Sequence, residues 1–167
     1  MITLRPFEAD DAEQLVLLAN NANVSRYLTY MFPYPYTPED AEWWISTGST
    51  LDGAVSRVVE FNGQFVGGAG LTRLKAWKNH QAEIGYWLGE PFWGQGIATE
   101  ALKQMTAYAF DVMQVKKLFA PVLKPNIASM RVLEKCGYVR EGEFSMEVFK
   151  NGQFYDTVQY ARLAGQV

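Results

Sequence analysis

Apolar and polar positions alternate along this chain in two periods, and the switches between them mark out its elements. Residues 2–7 alternate at period two and stop at Pro6, which predicts a short edge strand. After Asp10 and Asp11, the residues Ala12, Leu15, Val16, Leu18 and Ala19 recur at three- and four-residue spacing. They predict a first helix with acids near its positive end. Thr37-Pro38-Glu39-Asp40 then reads as a helix start, with Thr37 as cap, Pro38 at the first helical position and Asp40 completing a capping-box pattern. Ala41, Trp43, Trp44 and Ile45 continue that helix.

Period two returns at residues 54–61 and 64–71, joined by Asn62-Gly63, the strongest short hairpin signal. A third strand at 82–88 completes an antiparallel meander. Ala98, Ala101, Leu102, Met105, Tyr108, Ala109 and Val112 predict a helix over 97–112. Residues 117–122 read as another strand, stopped by Pro121 and Pro125. A compact helix over 126–138 follows, with Asn126 as cap, Lys135 in its last turn and Gly137 at a left-handed exit. Strands at 138–149 and 154–163 around Lys150-Asn151-Gly152-Gln153 make a final hairpin.

Residues 20–37 fit neither period. Prolines at 33, 35 and 38 forbid a continuous helix, while Tyr27, Tyr30, Met31, Phe32, Tyr34 and Tyr36 are too dense for a disordered linker. This segment is a substrate-side wall or a packed connector. No internal repeat interrupts the chain, and its 167 residues predict a single domain over 1–167.

Composition narrows the function classes. A chain with 49% hydrophobic and 20% charged residues reads as globular. Five Trp, nine Tyr and ten Phe exceed the needs of a small core, so some are expected on a cleft or partner surface. That surplus makes a homodimer as admissible as a monomer. The net charge of −3 and the lack of a dense Lys/Arg run argue against nucleic acid and fit a small or cationic substrate. With Cys136 as the one cysteine and His80 as the one histidine, neither a disulfide, a structural metal site nor a Cys/His dyad is expected. No apolar run reaches transmembrane length and the start lacks a signal-peptide plan, so no membrane association and a cytoplasmic location are expected.

The chemistry-bearing stretch is Phe92-Trp93-Gly94-Gln95-Gly96-Ile97-Ala98-Thr99-Glu100-Ala101. Glycines at 94 and 96 allow left-handed backbone and let a ligand reach the main chain. The helix after them offers unpaired N–H groups and a positive dipole end, suited to phosphate or pyrophosphate. A plain strand-to-helix turn without ligand is the alternative. No Gly-Lys-Ser/Thr string exists for a lysine P-loop, and Ala98 and Thr99 do not fit a dinucleotide fingerprint.

With WGQGIATEA and NIASMRVLEKCGY in this order, the chain resembles the GNAT N-acetyltransferase family, and more narrowly its RimJ/RimL-type branch, which includes ribosomal-protein N-terminal acetyltransferases. The resemblance runs from LRPFEADDAEQL to DTVQYARL. It implies an α/β (α+β) fold with a mixed, mostly antiparallel sheet of about seven strands, a splayed pair and helices on both faces. It implies acetyl-CoA as co-substrate, with pyrophosphate on the main chain of Trp93, Gly94, Gln95, Gly96, Ile97, Ala98 and Thr99. Pantetheine would be aligned by main-chain groups of Tyr86, Trp87 and Leu88, which could also donate to a developing oxyanion, and Asn126 would contribute from the second motif. Many relatives begin the loop with Arg or Gln where this chain has Trp93.

The resemblance also implies transfer to a primary amine by direct attack, the acceptor being a protein N-terminus or a small amine such as a polyamine, amino acid or aminoglycoside. A non-catalytic acyl-CoA-binding module is the rival reading. The tyrosine that many members use as the acid matches Leu133 here, and in the RimJ/RimL-type branch Ser129 is similar to the serine proposed for that role. Asn126 is a site residue or a mere cap, and Ser129 an acid or an ordinary first-turn residue. Glu83 is the first candidate base or an exposed strand residue. Asp156 is the second, or holds a backbone turn.

Overall fold

The computed structural model describes residues 1–29 and 31–165; Tyr30 of the expected substrate-side wall lies outside them. Seven strands form one sheet: β1 (Ile2–Arg5), β2 (Val55–Phe61), β3 (Gln64–Arg73), β4 (Gln81–Leu88), β5 (Lys117–Leu123), β6 (Val139–Lys150) and β7 (Gln153–Leu163). Their spatial order is β1-β2-β3-β4-β5-β7-β6, and the β4–β5 pair is parallel while the others are antiparallel. The helices are α1 (Ala12–Ala19), α2 (Ala22–Ser25), α3 (Pro38–Ser46), α4 (Ile97–Asp111) and α5 (Ile127–Lys135). The expected strands and helices are present, with ends displaced by up to three residues. The short α2 is new, standing inside the segment that has neither period.

Local chemistry explains the turns. Asn62 and Gly63 have φ of 52° and 78°, and Asn151 and Gly152 have 51° and 75°, so both hairpins close with two left-handed residues that match the strand twist. At the start of α3, Asp40 N donates to Thr37 Oγ1 at 3.2 Å and Thr37 N donates to the Asp40 carboxylate at 2.8 Å, with Pro38 just inside. That is the capping box read from the sequence.

Strand alternation sends side chains to two cores. Leu71, Ile84, Leu118 and Val158 pack with Leu102 and Met105 of α4 and Leu133 of α5. On the opposite face Val58 and Phe65 pack with Leu15 and Ala19 of α1 and Ala41 of α3, and with Tyr36. Each such leucine contributes about 1.5–3 kcal/mol by burial. An ionic clasp joins β1 to the rest: Arg5 donates to both Asp11 oxygens at 2.8 and 2.7 Å and to Glu60 at 2.7 Å.

The sheet forks in its middle. β4 and β5 pair only through Gln81 with Lys117, Ala82 with Leu118 and Glu83 with Phe119. Beyond that, β4 stays on β3 as far as Leu88 opposite Gly67, while β5 follows β7 as far as Leu123 opposite Thr157. Residues 84–88 therefore turn their β5-facing edge to an opening rather than to a strand.

Candidate active site

At the mouth of the fork lies a cleft of about 510 Å³. Tyr86, Trp87, Leu88, Trp93, Gly94, Gln95, Gly96, Ile97, Ala98, Thr99, Asn126 and Ser129 all line it, so the two sequence motifs meet on one cavity. Glu83 is not among its lining residues.

The glycine turn is built for close approach to the main chain. Gly94 and Gly96 have φ of 74° and 79°, a conformation that disfavours any side chain, and a Cβ at either would meet nothing within 4 Å. Gly96 caps α4, a helix of 15 residues with no side-chain cap on its first amides. An anion there meets unpaired N–H groups and the positive dipole end. Although the chain carries a net −3, the charged side chains lining the cleft are Arg26, Arg131 and Lys135. Trp93 keeps the loop attached to β4, because its indole Nε1 donates to Leu88 O at 2.8 Å. One carbonyl expected to face a ligand is thus already engaged.

Across the cleft, α5 supplies the second motif. Ser129 N donates to Asn126 Oδ1 at 3.3 Å, so Asn126 caps α5 and lines the cavity at once. The Ser129 Oγ lies 2.9 Å from the Tyr86 phenol oxygen, which also donates to Ser129 O at 3.2 Å. Burial, partly opposed by the Ser129 hydrogen bond, pushes the Tyr86 phenol up to about 12, so it stays protonated. The sequence reading placed only the Tyr86 main chain here; β4 alternation, which puts Tyr86 on the face of Ile84 and Leu88, was the available signal. Leu133 is fully buried in the core and touches no cleft.

Glu83 lies at the vertex of the fork, where the last β4–β5 pair forms. By strand alternation it shares a face with Trp87, which packs in the α1/α3 core, whereas Tyr86 packs toward α4 and α5. Glu83 and Ser129 therefore stand on opposite sides of the opening. Burial raises the Glu83 carboxyl above its ordinary value, and no cation pairs with it among the described residues. Asp156 accepts from Met146 N at 2.9 Å, at an irregularity in the β6–β7 register, and so holds backbone.

The third wall comes from the irregular segment: Asn23, Val24, Arg26, Tyr27 and Leu28 line the cleft. Of residues 20–37, α2 and the turn after it therefore form a wall of the cleft, while Phe32 and Tyr36 pack as a connector against the sheet. Beyond it, the β6–β7 hairpin exposes Phe144, Met146, Phe149 and Phe154. His80 is exposed beside β4, and no described helix is long and apolar enough to cross a membrane.

Comparison with known proteins places these features in a family. The profile described as "Acetyltransferase (GNAT) domain" matches residues 1–139. The chain is 30% identical over 167 residues to the spermidine N(1)-acetyltransferase of Escherichia coli strain K12, covering 95% of this chain and 83% of that one. It is 28% identical over 172 residues to the "Putative ribosomal N-acetyltransferase YdaF" of Bacillus subtilis, covering 97% and 91%. The solved spermidine N-acetyltransferase of Vibrio cholerae, in complex with CoA and spermine, superposes with a TM-score of 0.82 at 25% identity over 97% of this chain and 95% of that one.

Proposed function

This chain belongs to the GNAT acetyltransferase family and is an acetyl-CoA-dependent N-acetyltransferase, and we propose that its acceptor is the α-amine of a peptide or protein N-terminus. The observation that carries this reading is the charge lining the site. A polyamine brings further ammonium groups, each needing an anionic partner, yet no carboxylate lines the cleft, and once Arg131 and Lys135 meet the coenzyme phosphates the remaining charge on its lining is the cation Arg26. Several acids on adjoining elements are already engaged: Glu141 by Lys117, Glu143 by Lys124 and Arg140, and Glu90 by two asparagine amides. A chain with one amine and an apolar body suits the exposed Phe144, Met146, Phe149 and Phe154 better.

Acetyl-CoA supplies the activated acetyl thioester. The amides of 94–99 and the cations Arg131 and Lys135 hold its phosphates, and the open edge of residues 84–88 orients the arm. Glu83 takes the proton of the incoming amine on one face, and Ser129, held by Tyr86, returns a proton to the departing sulfur on the other. An α-amine with pKa near 8 is about one-tenth neutral at pH 7, whereas a lysine near 10.4 costs roughly 4–5 kcal/mol to deprotonate, so a single half-buried carboxylate suffices for the former. The residues 1–167 act as one domain in this reading. Measuring acetyl-CoA consumption against peptide N-termini and spermidine tests it: peptides should give kcat/KM about tenfold higher or more. A preference for spermidine would reverse the assignment, and no free thiol with any amine would favour a binding module.

A further inference from the structure

α2 is fastened at both ends by side chains from distant parts of the chain, Glu90 just before the glycine loop and Lys150 of the β6–β7 hairpin. At its start, Asn21 Oδ1 accepts from Asn23 N at 2.8 Å and Val24 N at 3.2 Å, capping the helix. The same Asn21 donates through Nδ2 to Glu90 Oε2 at 2.8 Å, and Asn23 Nδ2 donates to Glu90 Oε1 at 2.9 Å. Glu90 opens the turn Glu90–Phe92, whose carbonyl accepts from Trp93 N at 3.2 Å, so it is joined directly to the glycine loop. At the far end, the Lys150 ammonium, from the end of β6 at the hairpin turn, donates to Ser25 O and to Leu28 O at 2.7 Å. Lys150 is half-buried and makes no ion pair among the described residues, so these carbonyls are what hold it. Asn23, Val24, Arg26, Tyr27 and Leu28, in the segment so fastened, line the cleft.

We propose that Glu90 and Lys150 are positioning residues that suspend α2 between the coenzyme loop and the acceptor hairpin, so that coenzyme on residues 94–99 fixes the wall against which the amine binds. The physical basis is that a four-residue helix has too few internal hydrogen bonds to hold itself. Its seat is decided by the groups at its ends, and a ligand that orders one fastening lowers the entropy still to be lost at the other site. Acceptor and acetyl-CoA affinities are then linked through Glu90, while Lys150 acts on the acceptor side alone. The proposal rests on the acetyltransferase assignment but not on which amine is used.

Hydrogen exchange of the amides in residues 22–28, with and without coenzyme A, tests this in the full chain. In the wild type, saturating coenzyme A should slow their exchange about fivefold or more, within the usual range of coupling between sites. Glu90→Ala should still bind coenzyme A within about threefold by calorimetry yet lose that protection, and Glu90→Gln, which keeps one acceptor oxygen, should retain part of it. Lys150→Met should raise acceptor KM about fivefold with kcat and coenzyme affinity nearly unchanged, and Lys150→Arg should restore most of it. Unchanged exchange in the wild type, equal protection in a folded Glu90→Ala, or an unaltered KM in Lys150→Met would each overturn it. If no amine supports turnover, the acceptor reading fails while the exchange experiment still decides the role of α2.

Discussion

Tyr86 and Ser129, 43 residues apart in the chain, bring phenol and hydroxyl oxygens to 2.9 Å on one wall of the cleft. The phenol stays protonated and fixes the serine rotamer, and in the proposed reading that hydroxyl pair serves the leaving group. We expect Ser129→Ala to lower kcat about a hundredfold and Tyr86→Phe about tenfold, with acetyl-CoA affinity unchanged by calorimetry. Because the two act as one unit, the double variant should be no slower than Ser129→Ala alone. An additive loss would separate their roles.

If Glu83 is the base, as proposed, it gives the reaction a pH dependence. Burial raises its carboxyl, which in that role keeps the protonated form to a higher pH than an ordinary carboxylate. The acid limb of kcat/KM should rise there, and Glu83→Gln should remove that limb while lowering the plateau about a hundredfold. An unchanged profile would take Glu83 out of the chemistry.

At Gly96 two requirements coincide, a left-handed φ of 79° and open space where a Cβ would project. Valine there adds roughly 1–2 kcal/mol of backbone strain and puts methyl groups beside the amides. Acetyl-CoA affinity should fall about tenfold or more on calorimetry, with the melting temperature only slightly lowered. Wild-type affinity would refute the loop assignment.

Cys136 is buried, its Sγ donating to Thr99 O at 3.4 Å, and burial pushes the thiol up, away from the thiolate form. Turnover should survive Cys136→Ala nearly intact, with no acetyl-enzyme burst in either protein. A lost burst would point to covalent transfer.

The Arg5–Asp11 clasp is a stability device. Burial pushes the Asp11 carboxyl up, but hydrogen bonds from Arg5 and from Glu8 N outweigh it and hold the group below its usual value. Its contribution is fully present above the unfolded pKa near 3.9 and fades as pH falls through the lower folded value. Asp11→Asn should cost about 3 kcal/mol in urea unfolding at pH 7 and progressively less in acid.

What was legible in the sequence was local chemistry. The Thr37/Asp40 capping box, the Asn62-Gly63 turn, the Asn126 cap and the glycine loop are each set by residues a few positions apart, and spacing reports them directly. The contacts that complete the site are not local. Tyr86 meets Ser129 across 43 residues, Asn21 meets Glu90 across 69 and Lys150 meets Ser25 across 125. Such pairs are fixed by strand order and by the fork, which no period records. Alternation alone could have placed Tyr86 and Glu83 on opposite faces, since that follows from counting along β4.

The strand order carries one last consequence, for how the molecule is made. β7 is inserted between β5 and β6, although β6 precedes it in the chain. During synthesis, therefore, β6 emerges with no neighbour to zip onto, and β5 keeps a naked flank until residues 153–163 have left the ribosome. The nascent polypeptide carries two unmatched ribbons at once, and a stop codon anywhere in that final stretch would strand both, leaving sticky edges rather than a slightly shortened enzyme.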